Sequence, residues 1–161
     1  MMKGLVFLAF LAQTGAALAQ TGAATPLPAT DIKASDIEAA IERAISTGRD
    51  ASVRVIDDGN QHIGITMVQQ PTPGPSGGGT HETVTEVYHV LKGSATLVTG
   101  GISGPRRSDG GFRIQGGVSR QVSAGDVIII PAGTPHGLSE IHEDITIIVV
   151  RVDSGSVIEL Q

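Results

Sequence analysis

The sequence has no cysteine and no tryptophan, and only one tyrosine and three phenylalanines in 161 residues. The lack of cysteine excludes disulfide scaffolds, Cys-ligated zinc, iron–sulfur clusters and thiol nucleophiles. The scarcity of aromatics leaves little surface on which bases or sugars could stack. Charge is thin as well: charged residues make up 17%, the formal net charge is −5, and no basic stripe runs along the chain. A mildly acidic chain without such a stripe is not built to bind nucleic acid. Neither G-x-G-x-x-G nor a P-loop occurs, so a nucleotide phosphate cradle is unsupported. The 22 glycines show no three-residue period, which excludes a collagen-like chain.

A hydrophobic content of 40% over this length indicates one domain with a core of Ile, Val, Leu and Ala. Residues 1–19 read as a secretory signal peptide, with Lys3, the apolar run Leu5 to Ala12, and Ala17-Leu18-Ala19 as the cleavage site. The run is shorter than the roughly 20 residues a membrane span needs, and no later segment reaches that length. Cleavage after Ala19 leaves 142 residues from Gln20 with a charge of −6, because Lys3 departs. The expected product is secreted or periplasmic, without stable membrane association.

A flexible leader is expected over 20–34, an amphipathic helix over 35–48 and a β-domain over 50–160. In the helix Ser35 is a candidate cap with Glu38 three residues on. Ile37, Ile41, Ala44 and Ile45 form the apolar stripe, which needs one face of a sheet to cover, and Gly48 is placed to stop it. Beyond Gly48 the period changes to two. Val53 and Val55 lead to the hairpin dipeptide Asp58-Gly59, and Ile63, Ile65 and Met67 alternate after it. Residues 71–79 read as a loop. Strands are expected near 83–91, 94–99, 118–122, 126–130, 144–152 and 156–160, with a long Gly-rich loop over 100–117 carrying Arg106, Arg107 and Arg113. Many short strands with one flanking helix indicate an all-β sandwich or barrel.

Two segments carry the chemistry. In residues 125–137, Val127 to Ile130 reads as a buried strand, and Pro131, Gly133 and Pro135 stiffen the turn before His136. In residues 78–93, His81 precedes a strand in which Glu86, Tyr88 and Val90 share one face. A carboxylate on a core-facing side needs a partner, and a metal ion is the strongest. His81, Glu86 and His136 supply two imidazoles and a carboxylate, a set suited to one divalent Mn, Fe, Ni, Cu or Zn ion. The serine-hydrolase pattern around Ser76 lacks the strand-to-helix turn that motif needs.

These segments resemble the two motifs of the cupin superfamily. In the pattern G(X)5HXH(X)3-4E(X)6G, His81 matches the second histidine, Glu86 the glutamate and Gly93 the last glycine. In G(X)5PXG(X)2H(X)3N, Gly125, Pro131, Gly133 and His136 match in order and spacing. The resemblance implies a jelly-roll β-barrel with the metal inside. The sequence departs from it at ligand and flanking positions: Gly79 stands at the first histidine and Glu140 at the asparagine. Three arrangements stay open: three protein ligands with water, a substitute histidine (His62, His89 or His142), or a weak or metal-free site. Alternation puts His89 on the opposite face and the polar turn at His142 is expected to be solvated.

The implied function is a small exported metal-dependent enzyme acting on a small organic substrate, of dioxygenase, isomerase or lyase type, with Tyr88 as a candidate proton donor. The alternative is a non-catalytic cupin binding a carbohydrate or acidic metabolite. Cupins commonly pair through their sheets, and apolar residues on both faces of 83–91 (Val84 and Val90 against Val87 and Leu91) point to a homodimer.

Overall fold

The structure is a computed structural model that describes residues 29–57, 62–70, 78–106 and 112–153. The signal peptide, most of the leader, Asp58-Gly59, Ser76 and the strand expected over 156–160 lie outside the described residues. Helix α1 spans Ala34–Thr47. It is followed by β1 (Ala51–Asp57), β2 (His62–Gln70), β3 (Gly78–Gly79), β4 (Val84–Thr99), β5 (Ile102–Arg106), β6 (Phe112–Gln115), β7 (Val118–Ser123), β8 (Val127–Ile130) and β9 (His136–Asp153). None of the described helices is long and apolar enough to cross a membrane.

The helix begins one residue before the expected 35–48, and its cap differs. Asp36, not Glu38, closes the first turn by accepting the Lys33 backbone N–H at 3.2 Å, so Ser35 already lies inside the helix. Gly48 ends it in the left-handed conformation (φ 64°). Ala40 and Ala44 are buried, with Ile37 and Ile41 half-buried beside them, whereas Ile45 is 60% exposed. The two alanines let the helix lie close on the sheet, against Ala51, Val53, Leu91 and Ile148. Leu91, read as part of a dimer face, is therefore covered by the chain's own helix.

Strands β4 and β9 form the spine. The two runs expected at 83–91 and 94–99 are one strand, and 144–152 is the second half of another. They pair antiparallel from Val84↔Asp153 to Thr99↔His136, with register shifts around Lys92 and Ser94. Gly93 makes this bend possible. Its φ is 77°, and a Cβ there would stand 2.1 Å from the Asp144 carbonyl oxygen.

The bend also switches which residues face inward. Along β4 the buried residues run Val84, Glu86 and Val90 before it, then Ala95 and Leu97 after it. Along β9 they run His136 and Leu138, then Ile141, Ile145, Ile147 and Val149. An irregularity that inserts one residue reverses parity, so both halves of each strand can point into one interior. The first half of β4 pairs with β8, the second with β7; β2 flanks the second half of β9 and β3 its start. The sheet thus curls into a jelly-roll barrel around Val90, Leu97, Val122, Ile130, Ile141 and Ile147.

Three further expectations change. The 100–117 loop contains a two-stranded sheet, β5–β6. Gly78 and Gly79 are not loop but pair with Gly137 and His136. β8 is buried on one face alone: Ile128 and Ile130 are inside, while Val127 and Ile129 are 63% and 67% exposed. In a barrel wall one face of a strand lies on the interior and the other points outward.

Candidate metal centre

Glu86 sits in the first half of β4 and is 1% exposed. Alternation brings Tyr88 to the same inner face, against the core. His136 opens β9 directly after the Pro131–Pro135 turn. That turn is closed by Thr134 N–H donating to the Pro131 carbonyl (3.1 Å) and tied to its surroundings on both sides. Gly133 N–H donates to the His81 carbonyl at 2.7 Å, and Gly100 N–H donates to the Pro135 carbonyl at 2.8 Å. The first of these bonds clasps the two sequence motifs together, so His81 and His136 are held by the same short stretch of backbone.

His136 Nε2 lies 2.8 Å from Glu86 Oε2 and His81 Nε2 lies 3.7 Å from Glu86 Oε1. The two imidazole rings are 5.6 Å apart between centroids. One donor atom from each of His81, Glu86 and His136 falls within 4.8 Å of the other two. The cluster opens outward through His81, whose side chain is 43% exposed against 5% for His136. The spine of cupin topology is present, and both motifs meet at one point inside it. The chain has the cupin fold.

No protein-family model matches the chain, and no curated relative does. Among solved structures, a Bacillus subtilis oxalate decarboxylase studied for its Mn(II) centres is similar at 17% identity and a TM-score of 0.48. The alignment covers 68% of this chain but 26% of the decarboxylase, so this chain matches about a quarter of that protein. The cupin domain of Schizosaccharomyces pombe Cnp3 is similar at 8% identity and TM-score 0.43, covering 66% of this chain and 65% of that one. A Klebsiella pneumoniae protein with a double-stranded β-helix domain is similar at 17% identity and TM-score 0.43, covering 66% and 76%.

The site holds one residue that the sequence reading missed. Arg151 Nε donates to Glu86 Oε1 at 2.6 Å. It reaches that oxygen because Arg151 and Glu86 are direct cross-strand partners on β9 and β4. The partner that a buried Glu86 needs is supplied by the protein itself: Arg151 and His136 balance its charge, and Tyr88 Oη donates to Oε2 at 3.2 Å. Arg151 carries no local signal in the sequence. A basic residue within an otherwise apolar strand (Ile147 to Val152) was the one available pointer.

The electrostatics follow from this packing. Burial alone would raise the Glu86 pKa, but the His136 hydrogen bond and the Arg151 charge hold it down to about 2. Burial alone would lower His136; its bond to Glu86 and its Nδ1–H bond to the Thr134 carbonyl (2.9 Å) raise it instead. Both ring nitrogens thus face acceptors, and the ring carries both protons in this arrangement. His81 lies below its ordinary value, because burial, helped by the His136 and Arg151 charges, outweighs the Glu86 charge that would raise it, so it presents a neutral nitrogen at neutral pH. Burial, with the Glu86 charge, pushes the Tyr88 hydroxyl far up, so it keeps its proton.

Donor chemistry fits a divalent ion. Two ligands about 2.1 Å from one ion stand roughly 3–4 Å apart, close to the spacings found here. Gly79 lies beside the cluster: a Cβ there would meet His81 Nε2 at 3.5 Å. Of the substitute histidines, His89 is exposed on the outer face. His142 is exposed too, though not merely solvated, since its Nε2 lies 2.8 Å from Thr96 Oγ1. Its Nδ1 lies 3.9 Å from Glu140. Neither belongs to the cluster among the described residues, and the His62 side chain lies outside them.

Proposed function

We propose that the chain is a small exported cupin metalloprotein that acts on a small organic substrate, with His81, Glu86 and His136 as its metal ligands. The observation that carries this reading is the convergence of two imidazole nitrogens and a carboxylate oxygen within 4.8 Å. Two histidines and one carboxylate leave coordination positions open. A divalent transition metal bound there supplies Lewis acidity toward a substrate oxygen and, if redox-active, dioxygen chemistry.

The chain's own residues prepare that site. The Thr134 carbonyl holds the Nδ1 proton of His136, so loss of the other proton leaves Nε2 as the ligand. Arg151 orients Glu86 from Oε1. Tyr88 stands edge-on to the His136 ring at 6.1 Å and acts as a neutral hydrogen-bond donor, able to hold a proton beside the substrate but not to remove one. The exposed flank of His81 is the way in.

Metal analysis of protein purified without chelators tests this. A transition metal carried through purification or taken up on titration, approaching one ion per chain at saturation, is the expected result. No metal as purified, and no uptake of Mn(II), Ni(II) or Zn(II) on titration, would refute it. The second reading, a metal-free cupin that binds a small ligand without chemistry, is favoured by one observation: Arg151 satisfies Glu86 without an ion.

Export and self-association complete the proposal. Secreted or periplasmic protein should begin at Gln20 on N-terminal sequencing. A homodimer would cover the exposed outer face of β8, Val127 and Ile129, beside the half-buried Val87. A monomer mass by light scattering at micromolar concentration would exclude it.

A further inference from the structure

The barrel interior contains a cation that neither cupin motif supplies. Arg151 is largely buried, with 20% of its side chain exposed, and its Nε lies 2.6 Å from Glu86 Oε1. That oxygen is also the one nearest His81, at 3.7 Å. The other oxygen is held by His136 at 2.8 Å and Tyr88 at 3.2 Å. An ion settling between the three ligands therefore meets a carboxylate already in use on both sides.

We propose that Arg151 is a resident cation that competes with the divalent ion for Glu86 and keeps metal binding at this site weak and exchangeable. The inference rests on the metal reading above. Two arrangements are open to an arriving ion, and both oppose it. If Arg151 stays on Oε1, the ion takes Oε2 and shares one carboxylate with a guanidinium, two like charges a few ångströms apart in a poorly screened interior. If Arg151 lets go, an ion pair of 2.6 Å is broken in a poorly solvated interior. Asp50, just before β1, feels the Arg151 charge. Gly79 acts in the same direction, because it removes the donor that a fourth ligand would provide. In the metal-free barrel Arg151 does the opposite service, keeping a fully buried carboxylate ionised and paired.

Arg151 is thus a positioning residue, and its removal should separate two quantities that a merely structural role would move together. Tag-free mature protein is titrated with Zn(II) by isothermal calorimetry, and melting is followed with and without a chelator. Arg151→Gln should bind Zn(II) at least about tenfold more tightly than the wild type while melting at a lower temperature without metal. Arg151→Lys, which keeps the charge, should stay near wild-type affinity. A folded Arg151→Gln protein whose Zn(II) affinity equals or falls below the wild type overturns the inference. If Arg151→Gln does not fold without metal, Asp50→Asn decides. It leaves the ligands intact, removes an acid that feels the Arg151 charge and should weaken Zn(II) binding severalfold; unchanged or tighter binding overturns the inference. Absence of Zn(II) binding in wild type and in every variant removes the metal reading itself, whereas wild-type binding that ignores both substitutions removes only the role of Arg151.

Discussion

Acid titration of the metal-free protein probes the Glu86 cluster. The carboxyl group titrates at 4.5 when unperturbed and is held at about 2 in the folded chain. A group whose folded pKa is depressed contributes stability above its unfolded pKa and loses it as pH falls through the folded one. The gap between 4.5 and about 2 is worth about 3 kcal/mol. That contribution should be complete above about pH 5 and fade between about pH 4.5 and 2. His136 runs the other way: its folded pKa is raised, so its contribution is complete below its unfolded value of 6.5 and is lost as pH rises through the folded one. The cluster is therefore strongest between about pH 4.5 and 6.5. The assay is urea unfolding with chelator present at several pH values from 7 to 2.5, on wild type and Glu86→Gln. The wild type should exceed the variant by about 3 kcal/mol near pH 5.5, and the difference should shrink toward zero by pH 2.5. A difference that stays constant across that range would show that Glu86 is not the ionised, paired group described here.

Three substitutions extend the test. His136→Ala should reduce divalent-metal affinity about 100-fold or more, measured by calorimetry, while far-UV circular dichroism stays native, because backbone bonds from Gly133 and Gly100 still hold the turn. Gly79→His restores a histidine where the family pattern has one; its Cβ would make only ordinary contacts with the His81 ring, at 3.5 and 3.7 Å. It should tighten Zn(II) binding about tenfold, and unchanged affinity would mean that residue 79 does not face the ion. Gly93→Ala places a methyl group 2.1 Å from the Asp144 carbonyl in a left-handed backbone. Loss of at least about 3 kcal/mol in urea unfolding is expected, and a loss below about 1 kcal/mol would show that the strand bend tolerates a side chain.

Much of the site was legible because its signals are local. The two-residue period alone puts Glu86, Tyr88 and Val90 on one face, and the prolines and glycine of residues 131–135 announce a rigid turn before His136. The helix was legible from its 3.6-residue period, but its exact stripe was not. Ile45 satisfies the periodicity and yet lies outside, because the sheet beneath is met by the small Ala40 and Ala44. Likewise Val127 to Ile130 is apolar throughout, so composition could not reveal that β8 lies at an edge with half its side chains outward.

The sequence by itself determined the class of the fold, the three candidate ligands and the turn that presents one of them, because each depends on residues a few positions apart. Tertiary structure decided the rest. The strands expected at 83–91 and 94–99 became the single strand β4, and 144–152 became the second half of β9, since Gly93 lets β4 bend instead of stop and the register shift reverses which residues face inward. Glu86 acquired Arg151, 65 positions away, through the cross-strand register of β4 and β9. That pairing depends on how two distant strands align, and a one-residue slip would send Arg151 to the opposite face. The nature of the site's charge balance is therefore a property of register, which no local pattern in this sequence records.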